Sequence, residues 1–98
     1  MRKIEKMMVQ AVANKKNFKC SNTEVRTING AVFVALHGNL IYASIDGKKY
    51  YSNAGWNTVT TASRLRALGA DYSTNYKKCN CELTSYKEMK NLFYSVVG

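Results

Sequence analysis

The stretch from Val25 to Ser52 carries three tight-turn signals, and they constrain the fold more than any other feature of the chain. Asn29-Gly30 and Asp46-Gly47 are typical of two-residue type I′ hairpin turns, in which both central residues need positive φ. Gly38-Asn39 is a third, weaker signal of this kind. Short runs rich in Val, Ile, Tyr and Phe lie between the turns. The pattern predicts a four-stranded antiparallel meander.

If all three turns are two-residue loops, the register of the strands follows by counting outward from each turn. Val34 then lies opposite Val25 across the first turn and opposite Ala43 across the second. One face of the sheet collects eight residues, nearly all apolar: Val25, Val32, Val34, Leu36, Ile41, Ala43, Ile45 and Tyr50. Because a slip of one residue at any turn would scatter this set, the agreement of three turns supports the meander.

The opposite face of the predicted sheet is mixed in character. It carries Arg26, Ile28, Phe33, Ala35, His37, Leu40, Tyr42, Ser44, Lys49 and Tyr51. Tyr42 and Tyr51 lie directly opposite each other, and aromatic residues interleaved with basic ones resemble a platform on which bases stack. The alternative is that a helix covers this face and makes a second small core of Phe33, Ile28 and Leu40.

Helical spacing of apolar residues predicts helices on both sides of the meander. The first runs from Ile4 to about Asn14, and a polar connection follows it, in which Phe18 and Cys20 anchor on the core. The second begins at a cap, Asn57 or Thr58, and ends at Leu68. Its apolar side is Val59, Ala62, Leu65 and either Ala67 or Leu68, with Arg64 and Arg66 pointing elsewhere and Gly69 as a left-handed stop.

A fifth strand is predicted over Tyr76–Leu83, with Cys79, Cys81 and Leu83 facing the core. A last helix follows a cap at Thr84 or Ser85 and buries a stripe of Met89, Leu92, Phe93 and Val96. The fold class is therefore α+β, a single domain over residues 1–98, in the order α-β-β-β-β-α-β-α.

The charge of the chain favours anionic partners. Fifteen Lys and Arg against six Asp and Glu give a net charge of +9, which suits nucleic acid, an anionic membrane surface or an acidic protein. No run approaches the roughly 20 apolar residues of a membrane span, and no secretory signal is visible. An odd number of cysteines, three, favours a reducing compartment, so we expect a soluble cytoplasmic protein.

Catalysis and metal binding are poorly supported by the residues. Six acidic residues and one histidine leave few groups for acid–base work, and there is no nucleophile motif, so we expect no enzymatic activity and no cofactor. Cys20, His37, Cys79 and Cys81 are zinc ligands by type. The paired C-x-x-C spacing is missing, however, and alternating cysteines on a strand are more often small buried groups.

Two segments resemble a family of small tailed-phage proteins. Leu36-His37-Gly38-Asn39-Leu40-Ile41 matches its "LHGN" hairpin, and Asn53 to Leu68 matches its "GW-x-T-x-TT" entry to an "RL-x-AL" helix. Arg66 departs from the pattern, which usually has Asn there, and Cys79-x-Cys81 is no part of it. The resemblance covers the middle third of the chain, and it implies phage origin and action in an infected bacterial host rather than a defined activity.

These observations predict a non-enzymatic protein that binds nucleic acid, DNA or RNA, with weak sequence specificity. The sequence does not determine its oligomeric state, and a homodimer is one alternative. The predicted contact residues are Arg26, Tyr42, Lys49, Tyr51, Arg64 and Arg66. The cations would contact phosphate and the tyrosines would stack on bases. The alternative function is an inhibitor that binds an acidic surface of a host protein.

Overall fold

A computed structural model of the chain describes residues 2–54, 58–70 and 83–97. Three helices and five strands follow one another as α1 Lys3–Asn14, β1 Phe18–Cys20, β2 Thr23–Ile28, β3 Ala31–Leu36, β4 Asn39–Ile45, β5 Lys48–Tyr51, α2 Val59–Ala67 and α3 Tyr86–Val97. The strands form one antiparallel sheet in sequential order. The α+β class is confirmed, and β1 lies where the sequence predicts a polar connection.

The first and third turns are the type I′ turns that the sequence predicts. Asn29 and Gly30 have φ of 50° and 83°, and Asp46 and Gly47 have φ of 50° and 81°. Val25 accordingly pairs with Val34 across the first turn, as expected.

The second turn is one residue earlier than predicted. His37 and Gly38, with φ of 53° and 78°, are its central residues, and Leu36 pairs with Asn39. Glycine thus takes the second central position, as it does in Asn-Gly and Asp-Gly turns, and His37 is among the residues that tolerate positive φ. The predicted turn Gly38-Asn39 is wrong because it put the glycine first.

A β-bulge follows this turn and completes the correction of the register. Ala35 pairs with Leu40, whereas Val34 pairs with Tyr42, so Ile41 is the extra residue. The predicted pairing of Val34 with Ala43 is therefore wrong by one residue. Since side chains alternate between faces, this shift moves the rest of β4 and β5 to the opposite face, while the bulge keeps Ile41 in place.

The first face of the sheet packs against α1 and α2. Its core contains Met8 and Ala11 of α1, Ala62 and Leu65 of α2, and a set of strand residues: Val25, Val32, Val34, Leu36, Ile41 and Tyr42. Tyr42 has taken the place predicted for Ala43, and Tyr51 that of Tyr50. Val59, predicted on the apolar side of α2, and Cys20, predicted as an anchor, are both exposed.

The second face packs against α3, which confirms the covered-face interpretation. Phe33 and Met89 are fully buried there, and the rings of Phe33 and Phe93 meet edge to face with centroids 5.1 Å apart. The other members of this core are Ala31, Leu40, Ala43, Ile45, Tyr50, Leu92 and Val96; Ile28, predicted to belong to it, is half-buried and is not among them. The predicted buried stripe of the last helix is thereby confirmed.

Both ends of α3 are tied to the sheet. At its start, the Thr84 N–H donates to the Tyr51 carbonyl over 2.6 Å, and Leu83 forms a parallel bridge with Tyr51. At its end, the Asn29 side chain donates to the Val96 carbonyl over 2.9 Å. The remainder of the predicted strand Tyr76–Leu83, with Cys79 and Cys81, lies outside the described residues.

Candidate nucleic-acid interface

Helix α3 leaves part of the second face uncovered on the side of β1 and β2. Glu24 and Arg26 of β2 lie on this strip, and Lys19 of β1 shares it because it pairs directly with Glu24. Lys19 and Arg26 are exposed, and Glu24 is half-buried. The strip therefore presents two cations with one carboxylate between them.

The wall beside this strip is one side of α3. Ser85 precedes the first residue of the helix and caps it, since its hydroxyl accepts from the Glu88 N–H over 3.2 Å. Tyr86, Lys90 and Tyr94 follow at intervals of four residues, which places them one above another on one side of the helix. Tyr94 is 62% exposed, whereas Met89 on the same helix is fully buried.

Strip and wall enclose a groove of about 220 Å³, which we call the α3 groove. Its lining consists of Glu24, Arg26, Ala35, Gly38, Leu40, Tyr86, Lys90, Phe93 and Tyr94. Ala35, Leu40 and Phe93 are half-buried and form an apolar floor. The groove thus combines aromatic rings, an apolar floor, two cations and the Glu24 carboxylate.

Both cations of the α3 groove lie against aromatic rings. The Arg26 guanidinium is 6.0 Å from the centroid of the Phe93 ring, and the Lys90 ammonium is 4.7 Å from that of Tyr86. Among the residues that the structure describes, neither cation has a carboxylate oxygen within 4.0 Å of its nitrogens, whereas Arg64 forms an ion pair with Glu5. A cation held on a ring keeps its charge for a ligand, because the ring does not neutralise it.

A second, wider groove lies on the other side of α3. It encloses about 580 Å³ between the helix and β5, and its polar residues are Lys48, Lys49, Thr84, Glu88 and Asn91. The Lys48 ammonium is 5.2 Å from the Tyr50 ring centroid. Lys49, one of the predicted contact residues, is exposed here and is separated from Arg26 by the helix.

The predicted tyrosine platform is not an exposed surface. Tyr42 and Tyr51 do lie opposite each other, with ring centroids 5.5 Å apart. Tyr42 is only 3% exposed, and burial raises the pKa of its phenol although Ser44 hydrogen-bonds to it. The Tyr51 hydroxyl donates to the Leu68 carbonyl over 3.2 Å. The prediction that both rings lie open on the sheet is wrong, because the register shift turned them toward α1 and α2.

Arg64 is likewise a core residue and not a surface cation. It is 3% exposed, and its guanidinium donates to a Glu5 carboxylate oxygen over 2.7 Å and to the Thr23 hydroxyl over 3.1 Å. The prediction that Arg64 points away from the core is wrong. Arg66, two residues further along α2, is exposed and lies beside Glu5, Ser63 and Ala67.

Glu5 is the centre of this buried polar cluster, in which Ser63 and the Arg2 N–H also donate to its carboxylate. Burial raises the pKa of Glu5, but the hydrogen bonds from Ser63, the Arg2 N–H and Arg64, together with the Arg64 charge, outweigh burial and hold it below its ordinary value. The carboxylate is thus ionised and joins α1 to α2.

Of the predicted contact residues, Arg26 alone lies in the α3 groove. Sequence reasoning missed Tyr86, Lys90 and Tyr94 as partners of Arg26. Their signal was the four-residue spacing on a helix whose other side is the buried stripe. The sequence did not indicate which strand of the sheet would lie beside this side of α3.

None of the helices in the described part of the chain has the length and apolar character needed to cross a bilayer. The same residues hold no cluster of three or more His, Cys, Asp or Glu that could bind a metal ion; Cys79 and Cys81 lie outside them.

Comparison with known families identifies the chain as a phage protein. Residues 1–92 match the family described as Kyanoviridae Gp96 protein. The chain belongs to this family, and the phage origin implied by the resemblance is confirmed. Comparison with curated proteins and with solved structures finds no match.

Proposed function

We propose that the protein is a non-enzymatic nucleic-acid-binding protein that contacts phosphates through the α3 groove. The observation that carries the proposal is the position of Arg26 and Lys90. They line one groove, and each lies against an aromatic ring instead of a carboxylate. Cations interleaved with rings in a concave surface are the combination that nucleic-acid-binding grooves use.

The charge distribution supports this proposal. One of the six acidic residues in the chain, Glu5, is buried in an ion pair with Arg64. Glu24 lines the α3 groove, and the exposed Lys19 lies directly opposite it in the neighbouring strand, where its positive charge weakens the repulsion that Glu24 exerts on a polyanion. The net charge of +9 raises the local concentration of any polyanion and steers it toward the surface.

The proposed contact set differs from the one predicted from sequence. Arg26 is kept and Lys90 is added as a phosphate contact. Tyr42 and Arg64 are removed because they are buried, and Tyr51 because it packs against the core on the first face of the sheet. Lys49 and Arg66 are left out because neither lines the α3 groove. In this proposal the protein acts in the cytoplasm of an infected bacterial host.

The test is the salt dependence of binding to labelled oligonucleotides, measured by fluorescence anisotropy. Each phosphate contact releases counterions, so log K falls with log salt by about 0.7 to 0.9 per contact. Arg26→Gln with Lys90→Gln should therefore reduce the slope by about 1.4 to 1.8. A matched control is Lys3→Gln with Lys6→Gln, which removes the same charge from the exposed side of α1, across the sheet from α3.

The control variant should keep the parental slope. If the two variants lose the same slope, the binding is diffuse and the α3 groove is not the site. If excess polyanion fails to displace an acidic host protein, the alternative function of host-protein inhibition is favoured instead.

A further inference from the structure

We infer that the α3 groove takes single-stranded nucleic acid, with bases stacked on Tyr94 and Tyr86 and phosphates held between them. This inference rests on the proposed function and narrows it to one class of partner. It depends on the two tyrosines, whose rings are exposed and line the α3 groove.

The spacing of the side chains along α3 fits this arrangement. Tyr86 and Tyr94 are eight residues apart, so about 12 Å separates them along the helix axis at 1.5 Å per residue. Lys90 lies midway, and Arg26 faces it from the sheet side of the groove. A strand that follows the groove therefore meets ring, cation and ring in succession.

The exposure of the rings favours unpaired bases. Tyr94 is 62% exposed and Tyr86 37%. The Tyr94 ring lies against Phe93, with centroids 6.0 Å apart, and the Tyr86 ring lies against the Lys90 ammonium, so a base would stack on the solvent-exposed part of each ring. In a duplex the bases are stacked on one another and paired, so they offer these rings no face. In a single strand every base has a free π-face, and stacking on aromatic side chains is how such strands are held.

Binding of a duplex by the outer side of α3 is the competing arrangement. A major groove admits an α-helix, which would then contact phosphates on both sides. Lys87, Glu88 and Asn91 are exposed, and Glu88 and Asn91 line the second groove, on the β5 side of α3. With α3 inserted in a duplex, the Glu88 carboxylate would repel the phosphate backbone on that side, whereas it lies on the opposite side of the helix from the α3 groove.

The experiment compares a labelled 12-nucleotide oligo-dT with a 12-base-pair duplex at 0.2 M salt, using the full chain. We expect the single strand to bind at least about tenfold more tightly. Tyr94→Ala should weaken single-strand binding about five- to 150-fold, the effect of one stacked base, and leave the salt slope unchanged. Tyr94→Phe retains the ring and should stay within about twofold of the parent.

Since Tyr94 is mostly exposed, its variants should keep the parental circular dichroism, which is checked first. Equal affinity for the duplex, or parental affinity in Tyr94→Ala, overturns the single-strand inference. In that case, if Arg26→Gln with Lys90→Gln still lowers the salt slope, the proposed function stands. If those substitutions leave the slope unchanged, both the single-strand inference and the proposed function are wrong.

Discussion

Replacing Arg64 should destabilise the protein strongly, because the side chain is the counter-charge of a buried carboxylate. The residues Arg64 and Glu5 are 3% and 2% exposed, and 2.7 Å separates the bonded atoms. We consider Arg64→Met, which keeps an apolar stem of similar length. The change therefore removes charge and hydrogen bonds while creating little cavity.

The size of the loss in stability follows from the buried Glu5 carboxylate that the substitution leaves without its counter-charge. Glu5 would keep the hydrogen bonds from Ser63 and the Arg2 N–H, but it would lose the buried cation bonded to it, since Arg66 beside it is exposed to solvent. Removing one partner of a buried pair costs about 3–5 kcal/mol, mostly because the other charge stays buried. The Thr23 hydroxyl also loses a donor. For a domain of this size such a loss is a large fraction of a total stability of about 5–15 kcal/mol.

The assay is urea denaturation followed by circular dichroism, with the free energy of unfolding extrapolated to water. The matched control is Lys6→Met on the exposed side of α1, which should stay within about 0.5 kcal/mol of the parent. Adding Glu5→Gln to Arg64→Met neutralises the stranded carboxylate and should recover at least about 2 kcal/mol. A loss below about 1 kcal/mol in Arg64→Met, or no recovery in the double variant, would refute the buried pair.

The same carboxylate should make stability depend on pH. The pKa of Glu5 is lower in the folded chain than its ordinary value of 4.5, so the unfolded chain binds more protons in that window. The stabilisation is fully present above pH 4.5 and is lost as the pH falls through the folded pKa. Thermal melts between pH 7 and pH 3 should show a smaller acid-induced fall in Tm for Glu5→Gln than for the parent.

Two further predictions follow from the corrected sheet. Tyr42→Ala should cost about 3–5 kcal/mol through the cavity that it leaves, and wherever the variant is still folded it should bind oligonucleotides like the parent; weakened binding by the folded variant would restore the tyrosine platform. Gly47→Val should cost about 1 kcal/mol or more, because Gly47 has φ of 81°, which side chains rarely adopt. A Cβ added there would have no atom within 4 Å, so the cost is backbone strain and not a clash. An unchanged urea midpoint would mean that the Asp46-Gly47 turn is misassigned.

The sequence by itself determined the features that depend on neighbouring residues. Asn29-Gly30 and Asp46-Gly47 specify their turns because both positions of a type I′ turn demand residues that accept positive φ. The stripe around Met8 and the stripe around Met89 specify the helices and their buried sides, since helical periodicity is local.

Only the tertiary structure decided the second hairpin. His37-Gly38 and Gly38-Asn39 both contain a residue suited to positive φ, so local preference does not choose between them. The bulge at Ile41 then lets two consecutive residues, Ile41 and Tyr42, pack on one face. That face gains a large aromatic ring against α1 and α2, and this packing has no counterpart in a pattern that assumes strict alternation.

The candidate site was also a tertiary outcome. Arg64 reads as a surface cation on its helix, but Glu5, 59 residues away in sequence, draws it into the core. Arg26 and Lys90 come together only because α3 packs on the second face of the sheet and stops short of β2. Contacts between residues so distant in the chain depend on how helices dock on a sheet, and no spacing within one segment encodes that geometry.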